Sequence, residues 1–467
     1  MSWILLAILR RLFLSLPLSE EQRTAAVFLL FRLTGDRFRA LPSYQQWLRH
    51  GKWRRAVVPA DPRAARTPVL AEATRGGAGG RAMLVVSHDL GGGTQAHVDD
   101  MTRRLEREGW RVLLLQRHNE HHVRVTLQGA PTAGLLPYRW PDELPVLIED
   151  LRALGTVHVH VHHTVDLPEG FLAVLVGMAD TMACPFDVTV HDYFAICPRF
   201  TLFDEAVQGF CGEPQDVRKC TSCVARQGSA VGRDIDVATW RRDFGAVLHR
   251  ARTVYVPDAD VGRRLQRYFP ARTFSVMPHP EERAFLNCAA RRMPGRPLKL
   301  VTIGGIGPHK GSQLLHDCAA DAVRRGLPLE FHLVGYSDID DQLRKLRNVT
   351  IGGSYSRQQL TERLAAGGFH MAFLPAVWPE TYSYALSECW RHGLYTVGLD
   401  IGAIASRLRA APGLGAVLPY EWYLTPGRIN DALLEITPPG LQADAVHAAL
   451  AAYANVTRDY YRLPAGP

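Results

Sequence analysis

Residues 298–336 read LKLVTIGGIGPHKGSQLLHDCAADAVRRGLPLEFHLVGY. An apolar run ends in Gly304, Gly305 and Gly307, apolar residues at helical spacing follow from Ser312, and a second apolar run begins after Gly326. Strand, glycine turn, helix and strand in direct succession specify a βαβ unit, because parallel strands need a long crossover and a helix supplies it. The alternation continues through NVTIGG, a helical SRQQLTERLAAGG, the run FHMAFLP, a helical SYALSECWRHG and the run YTVGLD. Residues 291–445 are therefore expected to form one doubly wound domain.

The same pattern stands upstream. AMLVVSHDL is followed by Gly91, Gly92 and Gly93, by a helical TQAHVDDMTRRLEREGW and by RVLLLQ, with further strand-like runs at TVHVHVHH, FDVTVHDY and RTVYVPD. The expected fold class is α/β, with two facing Rossmann-like doubly wound domains over 81–290 and 291–445. A helical extension and linker precede them over 1–80, a cysteine-rich insert spans 197–223, and a helical tail covers 446–467. Ligands of such sheets bind outside the carboxyl ends of the strands, which places the site between the lobes.

Composition bounds the partners. The 467 residues are 47% hydrophobic and 21% charged, as in a globular protein with more than one core. The formal net charge of +8 is spread along the chain and suits acidic partners. Nucleic acid is not expected among them, since zinc-finger spacing, basic-region heptads and an aromatic-basic signature are all missing. No internal run reaches the ~18 apolar residues of a spanning helix. MSWILLAILRRLFLSLPLSEEQ places Arg10 and Arg11 after its apolar run, the reverse of a secretory signal, so a cytoplasmic protein is expected. Two readings of residues 1–20 stay open: an amphipathic helix on the inner membrane surface, and a helix packed on the body. A dinucleotide-dependent oxidoreductase would need G-x-G-x-x-G after the first strand, and SHDLGGGTQAH lacks that spacing.

The chemistry concentrates in WPETYSYALSECWRHG. A strand ends at Leu374, a loop carries Glu380, and a helix begins near Tyr382 or Ser383. Free amides across Thr381, Tyr382, Ser383 and Tyr384 form an anion site at the positive end of the helix dipole. Glu380 in the loop and Glu388 deeper in the helix are placed to accept hydroxyls on either side of a diphosphate, as a sugar nucleotide requires. Upstream, Lys310 follows the Gly304, Gly305 and Gly307 turn in the order Lys-Gly-Ser, which is not a phosphate-binding Walker loop.

These segments resemble the retaining family 4 glycosyltransferases of GT-B fold, of bacterial surface-polysaccharide type, whose hallmark is two glutamates separated by seven residues, as Glu380 and Glu388 are. The resemblance implies that Glu380 faces the donor sugar, that Glu388 holds the ribose, and that Lys310 neutralises the leaving diphosphate. His191 matches a strand-end histidine beside the donor sugar, and Gly91, Gly92 and Gly93 resemble the family's first-lobe loop. It further implies front-face attack by the acceptor hydroxyl, a nucleoside-diphosphate sugar as donor and no catalytic metal, while the basic N-terminus points to a glycan or lipid-linked glycan as acceptor. Many relatives carry an arginine soon after the strand where this chain has glycines, and Arg199 is a candidate for the missing contact. A non-catalytic nucleotide-sugar-binding scaffold is the alternative reading.

Cys197, Cys211, Cys220 and Cys223 fall in one irregular segment, where a structural Zn²⁺ is preferred over two disulfides or free thiols. Alternation sets His158, His160 and His162 on one strand face, read as a partly buried strand and not as a metal site. Asp234-Ile-Asp236 and Asp338-Ile-Asp340 are read as solvated.

Overall fold

The computed structural model describes Arg66, Leu70 and residues 81–463, except 120, 128–134, 169 and 233. The extension expected over 1–80 lies outside the described residues apart from those two.

The first lobe is built on β1 (Ala82–Val86), β2 (Arg111–Arg117), β3 (His122–Leu127), β4 (Leu135–Arg139), β5 (Thr156–Val161), β6 (Phe186–Thr189), β9 (Thr253–Val256) and β10 (Ser275–Val276), while β7 (Phe203–Asp204) and β8 (Gly209–Phe210) form a separate hairpin. The sheet order is β10-β9-β6-β5-β1-β2-β3-β4. It is parallel from β10 to β2, and β3 and β4 add an antiparallel edge. Every residue of β1 is buried, as expected of a parallel strand covered on both faces.

The second lobe holds β11 (Leu298–Ile306), β12 (Leu329–Ser337), β13 (Val349–Ile351), β14 (Met371–Leu374), β15 (Thr396–Leu399) and β16 (Gly415–Leu418). Their order, β13-β12-β11-β14-β15-β16, is parallel throughout. The order reverses at β1 in one lobe and at β11 in the other, and a crevice opens outside the carboxyl ends at such switch points. Gly91–Gly93 follow β1, and Gly304–Lys310 end β11 and turn into the next helix.

Gly311 holds that turn against the neighbouring loop. Its φ is +81°, and a Cβ there would lie 1.9 Å from the Pro375 carbonyl oxygen. Gly311→Ala should therefore cost about 2 kcal/mol through left-handed strain and collision, read as a lower thermal midpoint.

The tail returns to the first lobe. Glu108 accepts from the amides of Val456 at 2.6 Å and Thr457 at 2.9 Å, and the Tyr461 hydroxyl lies 2.5 Å from His160 Nδ1. Tyr460 and Tyr461 are buried beside Met83, Val85 and Met101, so the chain's end completes the first core. No described helix is long and apolar enough to cross a membrane.

Candidate functional site

On the second lobe, the loop after β14 leads to the helix Tyr384–Arg391, capped by Ser383. Ser383 adopts φ +70°, and its Oγ accepts from the Leu386 amide at 3.4 Å. A non-glycine residue in that region is held only where its surroundings over-determine it. Here the Arg407 guanidinium donates to the carbonyls of Tyr382 and Ser383 at 3.0 Å each and lies 4.3 Å from the centre of the Tyr382 ring. The Ala403 amide donates to the Glu380 carbonyl at 2.7 Å, and the Val377 amide to the His309 carbonyl at 3.0 Å. These contacts bring Lys310 Nζ within 3.6 Å of Glu380 Oε1.

Glu388 lies on the same helix. Its Oε1 accepts from Arg391 at 2.6 Å, and Arg357 stands 3.6 Å away. Tyr355, pushed up to about 12 by burial and then by Glu388, reaches the glycine turn, with its hydroxyl 3.9 Å from where a Cβ of Gly304 would be. A Cβ on Gly305 would lie 3.0 Å from the ring of Tyr336, which is 54% exposed. A half-exposed aromatic ring over bare glycine backbone, with a carboxylate alongside, suits a nucleoside. Tyr336 and Tyr355 carry no motif, and sequence reading missed them.

The first lobe meets this loop directly. Gly91 and Gly92 adopt φ +82° and +77°, and a Cβ on Gly93 would contact the Tyr384 ring at 3.5 Å. The Thr381 hydroxyl donates to the His191 carbonyl. His191, Gly91–Gly93, Thr381, Tyr382 and Tyr384 therefore converge between the lobes, and Lys310 and Glu380 pair on the same second-lobe loop.

The His191 side chain turns into a histidine cluster. Its Nε2 lies 2.9 Å from His162 Nδ1, and the His97 ring packs on His279 with centroids 3.9 Å apart. His158 bonds Asp187 at 3.0 Å, and His160 bonds both Tyr461 and Thr189, so those two serve the core. Burial first, and then the crowding of the other histidines, holds His97, His162, His191 and His279 well below the ordinary imidazole range, with Arg104 adding to it at His97 and Arg407 at His279. They are neutral at pH 7.

His309 is neutral for the same reason. Packed against Trp378 and beside Lys310, it is driven down to about 3 by burial and then by the lysine. The unfolded chain takes up this proton near pH 6.5 and the folded chain does not. The stability linked to His309 is thus present above that pH and declines on acidification by about 1.4 kcal/mol per pH unit. Thermal midpoints of the wild type should fall more steeply below about pH 6.5 than those of His309→Gln.

A buried carboxylate organises the lobe junction. Glu281, in the connection between β10 and β11, accepts from the Tyr382 hydroxyl, the Ser387 hydroxyl and Arg391, with Arg407 at 3.5 Å. Its amide donates to the Ala451 carbonyl at 2.8 Å. The lobe connection, the loop and helix after β14, and the tail therefore meet at one residue that sequence reading did not single out.

No family model and no curated protein matches the chain. Among solved structures it is similar to sucrose-phosphate synthase from Thermosynechococcus elongatus, at 15% identity over 79% of this chain and 94% of that one, with a TM-score of 0.50. It is similar to the lipopolysaccharide outer core galactosyltransferase WaaB at 11% identity over 79% and 94%, also at 0.50. HepE from Anabaena, in complex with UDP, is 13% identical over 79% and 94%, with a TM-score of 0.47. The chain has the GT-B fold.

Around the GT-B crevice, three other expectations meet the structure. Arg199 is committed inside the insert, donating to the Gly228 carbonyl at 2.7 Å and to Glu205 at 3.0 Å, so it is not the missing phosphate contact. Asp340 is buried and not solvated, because its Oδ1 accepts from the amide and hydroxyl of Ser337 at 2.6 and 2.7 Å to close a turn. Asp236 caps the helix Val237–Arg250. In the insert, Cys197, Cys211, Cys220 and Cys223 are free thiols. Burial lifts Cys197 to about 12 and Cys211 to about 11, with the nearby thiols adding to both shifts. The four share one neighbourhood, yet no three of their sulfurs lie within 4.8 Å of one another, wider than a tetrahedral zinc shell.

Proposed function

We propose that this GT-B protein is a nucleotide-sugar-dependent glycosyltransferase, retaining and of family 4 type, that transfers a sugar to a glycan or lipid-linked glycan in bacterial polysaccharide synthesis. The observation that carries the reading is the Lys310–Glu380 pair set beside the Ser383-capped helix, whose Tyr384 ring meets Gly93 of the first lobe. Lys310 and the first-turn amides would take the diphosphate, Glu388 with Tyr355 the nucleoside side, and Glu380 with the His191 region the sugar. Lysine and amides serve the departing charge, so this mechanism calls for no catalytic metal. The reading places the protein in the cytoplasm, with residues 1–20 as its membrane contact.

The test is a thermal-shift screen of the full chain against UDP-, GDP-, ADP- and dTDP-sugars, repeated with Glu388→Ala. One base series should stabilise the wild type, by about 2.7 kcal/mol at a hundredfold excess over Kd, and the variant should lose most of that gain. A folded wild type unmoved by every donor would refute the reading. Donor binding without any turnover would favour the scaffold.

A further inference from the structure

We propose that His97, His162 and His191 hold one divalent transition-metal ion, Zn²⁺ in kind, on the first-lobe wall of the crevice. One ring nitrogen from each lies within 4.8 Å of the other two, and among the described residues no other set of histidines, cysteines and carboxylates closes so tightly. The three come from separate elements. His97 lies in the second turn of the helix Gly92–Arg107, His162 directly follows β5, and His191 stands two residues beyond β6. No spacing motif links them, and the HVHVHH tract alone therefore did not point to the site.

The spacing is within reach of a filled shell. Metal–nitrogen bonds of about 2.0–2.1 Å at tetrahedral angles separate ligand nitrogens by about 3.3 Å. His162 Nδ1 and His191 Nε2 are 2.9 Å apart in a hydrogen bond that an ion would replace, the pair opening slightly and the His97 ring, within 4.8 Å, closing in. His97 Nε2 is buried with no hydrogen-bond partner. Buried polar atoms are nearly always paired. A metal is the partner this nitrogen lacks. His97 Nδ1 faces the Tyr384 hydroxyl at 3.5 Å, the kind of outer contact that orients a ligating ring. His279 packs against both His97 and His191.

The donor set selects the metal class. Neutral imidazoles suit Zn²⁺, Co²⁺, Ni²⁺ or Cu²⁺, whereas Mg²⁺ and Ca²⁺ require oxygen ligands. His191 retains partial exposure, so the three-histidine site has an open side toward the crevice, unlike a closed structural site. The inference concerns binding and does not rest on the proposed sugar transfer.

The test is a Co²⁺ titration of the chelator-stripped full chain in a Cys220→Ser/Cys223→Ser background, which removes thiolate binding in the insert. The expected result is one equivalent of Co²⁺ with visible ligand-field bands and no thiolate charge-transfer band. His97→Gln and His162→Gln should each weaken binding on the order of 100-fold or more while remaining folded by circular dichroism. X-ray absorption at the zinc edge of the same background guards against histidine variants that fail to fold, and should show an imidazole shell. A folded background protein that binds no Co²⁺, histidine variants that bind it undiminished, or a zinc shell without imidazole would overturn the site.

Discussion

Lys310→Ala is expected to lower turnover by about 10²–10³-fold while moving stability by less than about half a kcal/mol. The split follows from where the lysine sits. Its side chain is 41% exposed, and its ion pair with Glu380 spans 3.6 Å, a contact that contributes little to folding in water. In the proposed reaction, negative charge grows on the departing diphosphate, and a positioned cation there acts far more strongly on the transition state than on the folded chain. Residues 304–311 read GGIGPHKG, in which His309 is neutral, so Lys310 is the one cation of that turn. Arg199 does not substitute, since both of its terminal nitrogens are engaged in the insert. The measurement is release of nucleoside diphosphate from whichever sugar nucleotide stabilises the wild type, with Lys310→Arg recovering part of the loss. Unchanged turnover in a folded Lys310→Ala protein would remove the lysine from the leaving-group role.

What the sequence made legible, and what it did not, divides along a physical line. Strands covered on both faces spell largely apolar runs, so β1, β2, β11, β12 and β14 could be read directly from AMLVV, RVLLLQ, LKLVTI, LEFHLV and MAFL, and β5 from the alternation of TVHVHV. The antiparallel edge escaped notice because His122, Arg124 and Thr126 alternate with apolar residues in β3, and the parallel edge strand β16 because three of its four residues are only partly buried. The same line divides the site. Lys310, Glu380 and His191 stand just past strand ends, where topology alone places them in the crevice. His97 lies inside a helix and His279 in a connecting segment, so neither position carries a local pattern. Asp340 was misread because its partner is the turn at Ser337, a local hydrogen-bonding role that an Asp-x-Asp string does not disclose. Glu281 is the clearest case: its partners Tyr382 and Arg391 are more than a hundred residues away in sequence.

Glu281→Ala should destabilise the protein by about 3–5 kcal/mol, the cost of removing one side of a buried ion pair. The carboxylate is 3% exposed and serves four donors from the second lobe. Without it, the Arg391 guanidinium, itself 5% exposed, keeps only Glu388 as an acidic partner, the Ser387 hydroxyl loses its acceptor, and the Tyr382 hydroxyl keeps only the His279 carbonyl at 3.1 Å. Glu281→Gln keeps an acceptor in place while removing the charge, so its loss should be smaller. The effect should also reach the site. Tyr382 and Ser387 flank the helix start whose amides are proposed to take the diphosphate, and Arg407, which fixes the Tyr382 and Ser383 carbonyls, shares the same carboxylate. Donor affinity should therefore fall in Glu281→Gln even at temperatures where the variant is fully folded. Denaturant unfolding with a donor titration below the transition separates the two effects. A Glu281→Ala protein as stable as the wild type would show that the four donors find other partners, and that the junction is held elsewhere.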